Sequence, residues 1–170
     1  TQPQLPDGGA GGPNADEIEP NDSDDVATPM VVGGSARGKI EPETDADFYR
    51  LDIDKPGVLQ VALSGVDAVD LALEVIDSTG AVVGKSDRTG ARIKEGIPNA
   101  GVSAGRYTLI VRHAPKKKTA KPKAKKGAPP PAEVAPPPAP VYELTAQLIT
   151  PPAGAEREPD DDRGTANDLI

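Results

Sequence analysis

The sequence predicts an all-β domain, an antiparallel sandwich of about seven or eight strands with jelly-roll character. Three observations point there. Apolar and polar residues alternate in short runs from residue 48 to 112 and again after 141, the period of a strand with one buried face. Twenty prolines and eighteen glycines interrupt the chain too often for a helical bundle. Aromatic residues make up only 2% of the chain, so burial rests on Val, Leu, Ile and Ala, which suits a thin two-layer core.

The elements follow in order. Thr1 to Pro6 and the glycine-rich Asp7 to Gly12 form a flexible tether, taken as 1–16. Such tethers follow a cleaved export signal or a lipid-modified residue, which here would lie upstream of Thr1. Phe48 to Ile53 is a strand with Tyr49, Leu51 and Ile53 on one face and Phe48, Arg50 and Asp52 on the other. Leu59, Val61 and Leu63 define the next strand, and Leu71, Leu73 and Val75 the one after. Asp77-Ser78-Thr79-Gly80 is a turn that returns the chain as a hairpin over Ala81 to Lys85. A weaker strand covers residues 91–97, and a clear one runs from Arg106 to Arg112 with Tyr107, Leu109 and Val111 inward.

The composition then changes. Residues 115–140 are lysine, alanine and proline with almost nothing able to join a core, so a disordered or polyproline-like segment is expected. Alternation resumes with Tyr142, Leu144, Ala146 and Leu148. A lone strand cannot stand by itself, so it is expected to pair with 106–112, making 115–140 an insertion in a hairpin loop. Near the end, Glu156-Arg157-Glu158-Pro159-Asp160-Asp161 repeats Glu17-Ile18-Glu19-Pro20-Asn21-Asp22. This reads as a linker and the start of a second, truncated copy over 151–170.

The net charge of -8 hides two opposed blocks. Residues 1–54 hold thirteen acidic and three basic residues, hence -10, and residues 115–140 hold seven Lys and one Glu, hence +6. The absence of cysteine excludes disulfide and thiolate chemistry, and a single histidine, His113, excludes zinc sites built from several histidines. No apolar run reaches transmembrane length, and no glycine loop fit to cradle phosphate occurs.

Two acidic stretches carry the candidate chemistry. Along an extended chain, residues two apart point the same way, so Glu17, Glu19 and Asn21 converge. Pro20 biases Glu19 toward that extended form. Asp22 follows at a turn, and Asp45 and Asp47 repeat the spacing elsewhere. Carboxylate and amide oxygens of this kind suit calcium, which takes six to eight hard oxygen ligands. A second reading of the same residues is helix capping, with Asn21, Asp22 or Ser23 opening a short turn through Asp24 to Thr28. The residues alone leave both open. Asn21-Asp22-Ser23 also spells a glycosylation acceptor, a match that chance explains.

Gly101-Val102-Ser103-Ala104-Gly105 has the spelling of a nucleophile elbow, but that elbow needs a helix after the serine and here a strand follows. With Ser103 and His113 at opposite ends of that strand, no catalytic pair forms, and no enzyme activity is expected. Lys116, Lys117, Lys118, Lys121, Lys123, Lys125 and Lys126 suit either an anionic polymer or surface, or a merely solvated loop. Without interleaved aromatics they do not suggest base stacking, so no specific nucleic acid is expected.

The motif E-x-E-P-N-D-S from Glu17, then Gly38-Lys39-Ile40, then Asp45-Ala46-Asp47-Phe48-Tyr49, resembles the bacterial pre-peptidase C-terminal domain family, itself similar to the collagen-binding domains of collagenases. Gly105 to Val111 and Tyr142-Glu143-Leu144 resemble its closing strands, so the likeness covers 17–114 and 141–150. The resemblance implies a small β-sandwich, often in tandem, on secreted or other exported proteins. It implies a Ca2+ site built from the acidic segment and the Asp45–Asp47 pair. The long Lys/Pro insertion departs from that family. A non-catalytic calcium-binding accessory or adhesion module outside the cytoplasm is therefore expected, its partner an envelope or extracellular protein or a glycan. The alternative is a structural spacer repeat with no ligand of its own.

Overall fold

The computed structural model describes residues 14–42, 44–115 and 140–149. Ten strands form two five-stranded sheets packed face to face. In chain order they are β1 (Asn14–Asp16), β2 (Thr28–Met30), β3 (Ser35–Lys39), β4 (Ala46–Ile53), β5 (Gly57–Leu63), β6 (Leu71–Asp77), β7 (Val82–Ser86), β8 (Glu95–Val102), β9 (Gly105–His113) and β10 (Val141–Ile149). A 3-10 turn, Asp24–Val26, precedes β2. The first sheet has the order β1-β3-β10-β5-β8 and the second β2-β4-β9-β6-β7. Pairing is antiparallel except at one edge of each sheet, where β1 lies parallel to β3 and β2 parallel to β4.

The alternation read from the sequence is the alternation that packs. Tyr49, Leu51 and Ile53 of β4 face Leu59, Val61 and Leu63 of β5 and Leu144 and Ala146 of β10 within one apolar core. Each fully buried Leu or Val contributes about 1.5–3 kcal/mol over an exposed one. The Asp77 turn closes β6–β7 as expected. Its Oδ1 accepts from Thr79 N at 2.8 Å, Thr79 Oγ1 at 2.6 Å and Ala81 N at 3.0 Å, while Gly80 takes a positive φ of 84°.

Four expectations change. The weaker strand expected at 91–97 runs instead from Glu95 to Val102, after a turn at Ala91 and Arg92. The final strand does not pair with 106–112. In the second sheet β9 already has β4 on one side and β6 on the other. The free position lies in the opposite sheet, where β10 inserts between β3 and β5. The segment after β9 therefore joins the two sheets and is not a hairpin loop. The sandwich begins at Asn14, within the stretch expected to be tether, because backbone pairing to β3 needs no apolar alternation. The strand count rises to ten because short β1, β2 and β3 carry too few apolar residues to show a period. The remaining tether, the Lys/Pro segment and the second acidic copy lie outside the described residues.

Candidate metal centre

The acidic segment crosses the gap between the two sheets at one open side of the sandwich. At its start Glu17 N donates to Arg37 O of β3 at 2.8 Å, and at its end Phe48 N of β4 donates to Asn21 O at 3.0 Å. In between, Ile18 N donates to Thr28 Oγ1 at 3.0 Å and Asn21 N to Glu19 Oε2 at 3.1 Å. The Glu19–Pro20 peptide is cis. The segment thus lays Glu17, Glu19 and Asn21 beside the start of β4, whose inward face continues backward from Tyr49 to Asp47.

Carboxylate oxygens of Glu17, Glu19 and Asp47 lie within 4.8 Å of one another. A calcium shell with oxygens at 2.3–2.6 Å is about 5 Å across, so one ion can bind all three. Asn21, fully buried, stands against them. Turned one way, its amide donates from Nδ2 to Glu19 Oε2 and Asp47 Oδ1, each at 3.2 Å. Turned the other way, Nδ2 points to Thr28 Oγ1 at 3.4 Å and the amide oxygen faces the carboxylates, adding a neutral ligand. The set is all oxygen, without His or Cys, as a hard cation prefers.

Two tyrosines carry the site into the core. Tyr142 of β10 donates its hydroxyl to Asp47 Oδ2 at 2.5 Å, and Tyr49 of β4 shares a 2.7 Å bond with the same hydroxyl. This fixes Asp47 Oδ2 and leaves Oδ1 toward Glu17, Glu19 and Asn21. Gly38 of β3 makes the space. A Cβ there would collide with the Tyr142 hydroxyl and the Glu17 carboxylate. Both Glu17 oxygens accept from Lys39 N at 3.0 Å, and an open depression of about 440 Å³ between Glu17, Gly38, Lys39 and Val141 gives access from solvent.

The electrostatics are those of oxygens gathered out of water. Burial pushes the Asp47 carboxyl up to about 8, against the lowering effect of the Tyr142 hydrogen bond, and the charges of Glu17, Asp45 and Glu19 raise it further. Burial likewise raises Glu17, with Lys39 N opposing. It also raises Asp45, whose neighbour Asp22 adds to the shift while Glu41 N, 2.8 Å from Asp45 Oδ2, lowers it. Tyr49 and Tyr142 are both pushed up, mainly by burial. An Asp47 carboxyl raised this far holds a proton near neutral pH, which a divalent cation at the site would displace.

Of the six residues read from the sequence, Glu17, Glu19 and Asp47 form the core of the cluster and Asn21 contacts it. Asp45 and Asp22 form a second carboxyl pair alongside. Ser23 occupies the position before the 3-10 turn but makes no side-chain cap. The turn is held instead by Asp24, whose carboxylate accepts from Thr108 Oγ1. The seven lysines of the basic block lie outside the described residues. The sequence reading placed Tyr49 and Tyr142 in strands, Gly38 in a motif and Thr28 at the end of a turn, without assigning any of them to the site. Asp47 shares the period-2 face of Tyr49 and Leu51, and an inward carboxylate needs an inward hydroxyl opposite, which Tyr142 supplies. Ser103 and Ala104 connect β8 to β9, and Ser103 N donates to Tyr107 Oη at 3.0 Å. His113 ends β9, nine residues long, at the other extremity.

No protein-family model matches the chain, and no curated protein does. Among solved structures, the chain is similar to the pre-peptidase C-terminal domain of a Bacillus anthracis collagenase. The identity is 11%, the match covers 71% of this chain and 94% of that one, and the TM-score is 0.48. It is also similar to a periplasmic inhibitor of g-type lysozyme from Aeromonas hydrophila, at 15% identity, 71% and 97% coverage and a TM-score of 0.39. The first of these is a domain of the family that the sequence motifs resemble. Among the described residues no helix is long and apolar enough to cross a membrane.

Proposed function

We propose that the chain is a non-catalytic β-sandwich module of an exported protein, stabilised by a calcium ion held by Glu17, Glu19, Asp47 and the Asn21 amide oxygen. The observation that carries this reading is the convergence of a fully buried carboxylate, Asp47, and a fully buried amide, Asn21, on two further carboxylates. A bound ion would tie the segment before β2 to β4, and so the edge of one sheet to the other. Asp22 and Asp45 would complete its surroundings. In this role the module presents its outer sheet faces to an envelope or extracellular protein or a glycan.

Because the ion would bind only the folded chain, stability should rise by RT ln(1 + [Ca]/Kd), or about 2.7 kcal/mol at a hundredfold excess over Kd. Calorimetric titration and melting with and without calcium test this. Wild type should take up calcium and melt higher, while Glu19→Ala and Asp47→Asn should lose most of that rise. Absence of uptake at millimolar calcium would sink the reading. A spacer role is favoured by the second copy of the acidic motif at Glu156 to Asp161, and it predicts the same calcium response with no saturable partner. An esterase and peptidase panel on wild type and Ser103→Ala tests the absence of catalysis. Turnover lost in the variant would overturn it.

A further inference from the structure

The outer face of the first sheet holds an open depression of about 390 Å³, a volume in the range of small-ligand sites. Its floor is set by small side chains in register across three strands. Thr145 of β10 lies opposite Ala62 of β5, and Ala62 opposite Gly96 of β8. Longer side chains stand beside this floor. Gln147 lies opposite Gln60, and Gln60 Nε2 donates to Pro98 O at 3.1 Å, where the register of β8 against β5 shifts. Arg88, from the loop after β7, also lines the depression. Its backbone is fixed, because Arg88 N donates to both oxygens of the buried Glu95 carboxylate at 3.0 and 3.1 Å. Its side chain is exposed.

The charge of this lining runs against that of the chain. The net charge is -8, yet no Asp or Glu lines the depression. Among the described residues, the ion pairs engage Arg50, Arg92, Arg106 and Arg112, and none engages Arg88. A guanidinium takes a carboxylate through two parallel N–H bonds. The neighbouring groups suit hydroxyls. Gln60 commits its nitrogen to Pro98 O, which leaves its oxygen to accept, and Thr145 Oγ1 donates to Ala62 O at 3.4 Å, which leaves its lone pairs to accept. An added peptide strand is disfavoured here, because that mode needs free backbone donors along a sheet edge. At the β8 edge Gly96 N already donates to Ser86 Oγ at 3.1 Å, and Pro98 has no N–H. A ligand of this face is therefore held through side chains. One rigid unit that carries a carboxylate and several hydroxyls is a uronic acid.

We infer that this depression is a subsite for an acidic glycan. Arg88 takes the carboxylate of a uronic acid unit, and Gln60, Thr145 and Gln147 take its hydroxyls. The inference gives a place and a chemistry to the glycan partner proposed above, and it rests on that binding-module reading but not on the calcium ion.

The test is a nuclear magnetic resonance titration of the full chain with an oligomer of galacturonic acid, in chelator so that no metal bridges the two. The side-chain signals of Gln60, Gln147 and Arg88 should shift saturably below about 10 mM sugar. The neutral methyl ester of the same oligomer, and polyglutamate, should shift them weakly. Arg88→Gln should weaken binding about tenfold, and Arg88→Lys, which keeps the charge without the fork, should recover only part of that loss. Ala62→Glu, which places a carboxylate on the floor, should abolish the saturable shifts. Arg106→Gln removes the same charge from the opposite sheet and should bind within about twofold of wild type. Unchanged melting checks that the variants fold, and should Ala62→Glu not fold, the Arg88 variants decide. Absence of saturable shifts, shifts that map to another face, or equal binding of the ester or of polyglutamate overturns the inference. Calcium uptake, measured separately, decides the metal reading whichever way this titration falls.

Discussion

Tyr142→Phe isolates the link between the acidic cluster and the core. The substitution removes one hydroxyl and nothing else, yet that hydroxyl bonds Asp47 Oδ2 at 2.5 Å and Tyr49 at 2.7 Å. All three residues are buried, so no water replaces it at Asp47 or Tyr49 without rearrangement. Each buried polar group left without a partner costs about 1–3 kcal/mol, and two are orphaned here, for a loss of about 3 kcal/mol. For a domain of this size about 4 °C accompanies each kcal/mol, so the melting temperature should fall by about 12 °C. Urea unfolding in chelator, followed by far-ultraviolet circular dichroism, gives the free energy directly. Tyr49→Phe breaks one of the two bonds and should cost about half as much. The double variant should cost less than the sum, because the Tyr49 orphan disappears with its hydroxyl. A loss below about 1 kcal/mol for Tyr142→Phe, or strict additivity in the cycle, would refute the bridging role.

The other predictions concern the same end of the molecule and its opposite edge. In chelator, stability should fall as pH rises from about 4 to 8. A desolvated carboxyl whose folded value is about 8, against an ordinary 3.8, stabilises fully below the ordinary value and loses this as pH passes the folded one. The slope should approach about 1 kcal/mol per pH unit, and saturating calcium, which favours the ionised carboxylate, should flatten or reverse it. Thermal melts at matched pH with and without calcium check this. Gly38→Ala should abolish calcium uptake in calorimetry, since the added methyl displaces the Tyr142 hydroxyl and the Glu17 carboxylate. Glu95→Ala should cost about 2–4 kcal/mol by urea unfolding, because it leaves Ser86 and the Arg88 N–H without their buried acceptor. Arg92→Ala, which breaks a 2.5 Å but exposed ion pair with Asp67, should cost under about 1 kcal/mol by the same measurement.

The parts of the fold legible in the sequence are those where one face of a strand is buried and the other wet. β4, β5, β6 and β9 declare themselves through Leu, Val, Ile and Tyr at every second position, and the Asp77 turn through its side-chain acceptor. β1, β2 and β3 do not, because β1 and β2 are three-residue edge strands and β3 buries only Ala36 as an apolar side chain, so none shows a period. The sheet chosen by β10 was equally hidden. Its period states which side chains face inward, not which neighbour its backbone finds, and only the occupied flanks of β9 exclude the hairpin. In the site, spacing grouped Glu17 with Glu19 and Asn21, and Asp45 with Asp47, but only the family resemblance implied that the two groups meet. The Tyr142 contact spans 95 residues, and no local pattern encodes a partner that far along the chain.

Two buried carboxylates close the two open sides of the sandwich, and their surroundings assign them different work. Glu95, at the start of β8, reaches across to β7 in the other sheet. It accepts from Ser86 Oγ at 2.5 Å and from Arg88 N at 3.0 and 3.1 Å. Those donors are neutral and fixed, and they satisfy the anion where it lies, so Glu95 acts as a clip. Asp47 has one such donor, Tyr142, and otherwise meets Glu17, Glu19 and an amide that can turn either its nitrogen or its oxygen toward it. An acid surrounded by acids is not satisfied by the protein alone. It keeps a proton or binds a cation. The sheet-to-sheet clasp is therefore closed by fixed neutral donors on the β7–β8 side, while on the β1–β4 side its hold should vary with pH and, on the proposed reading, with calcium.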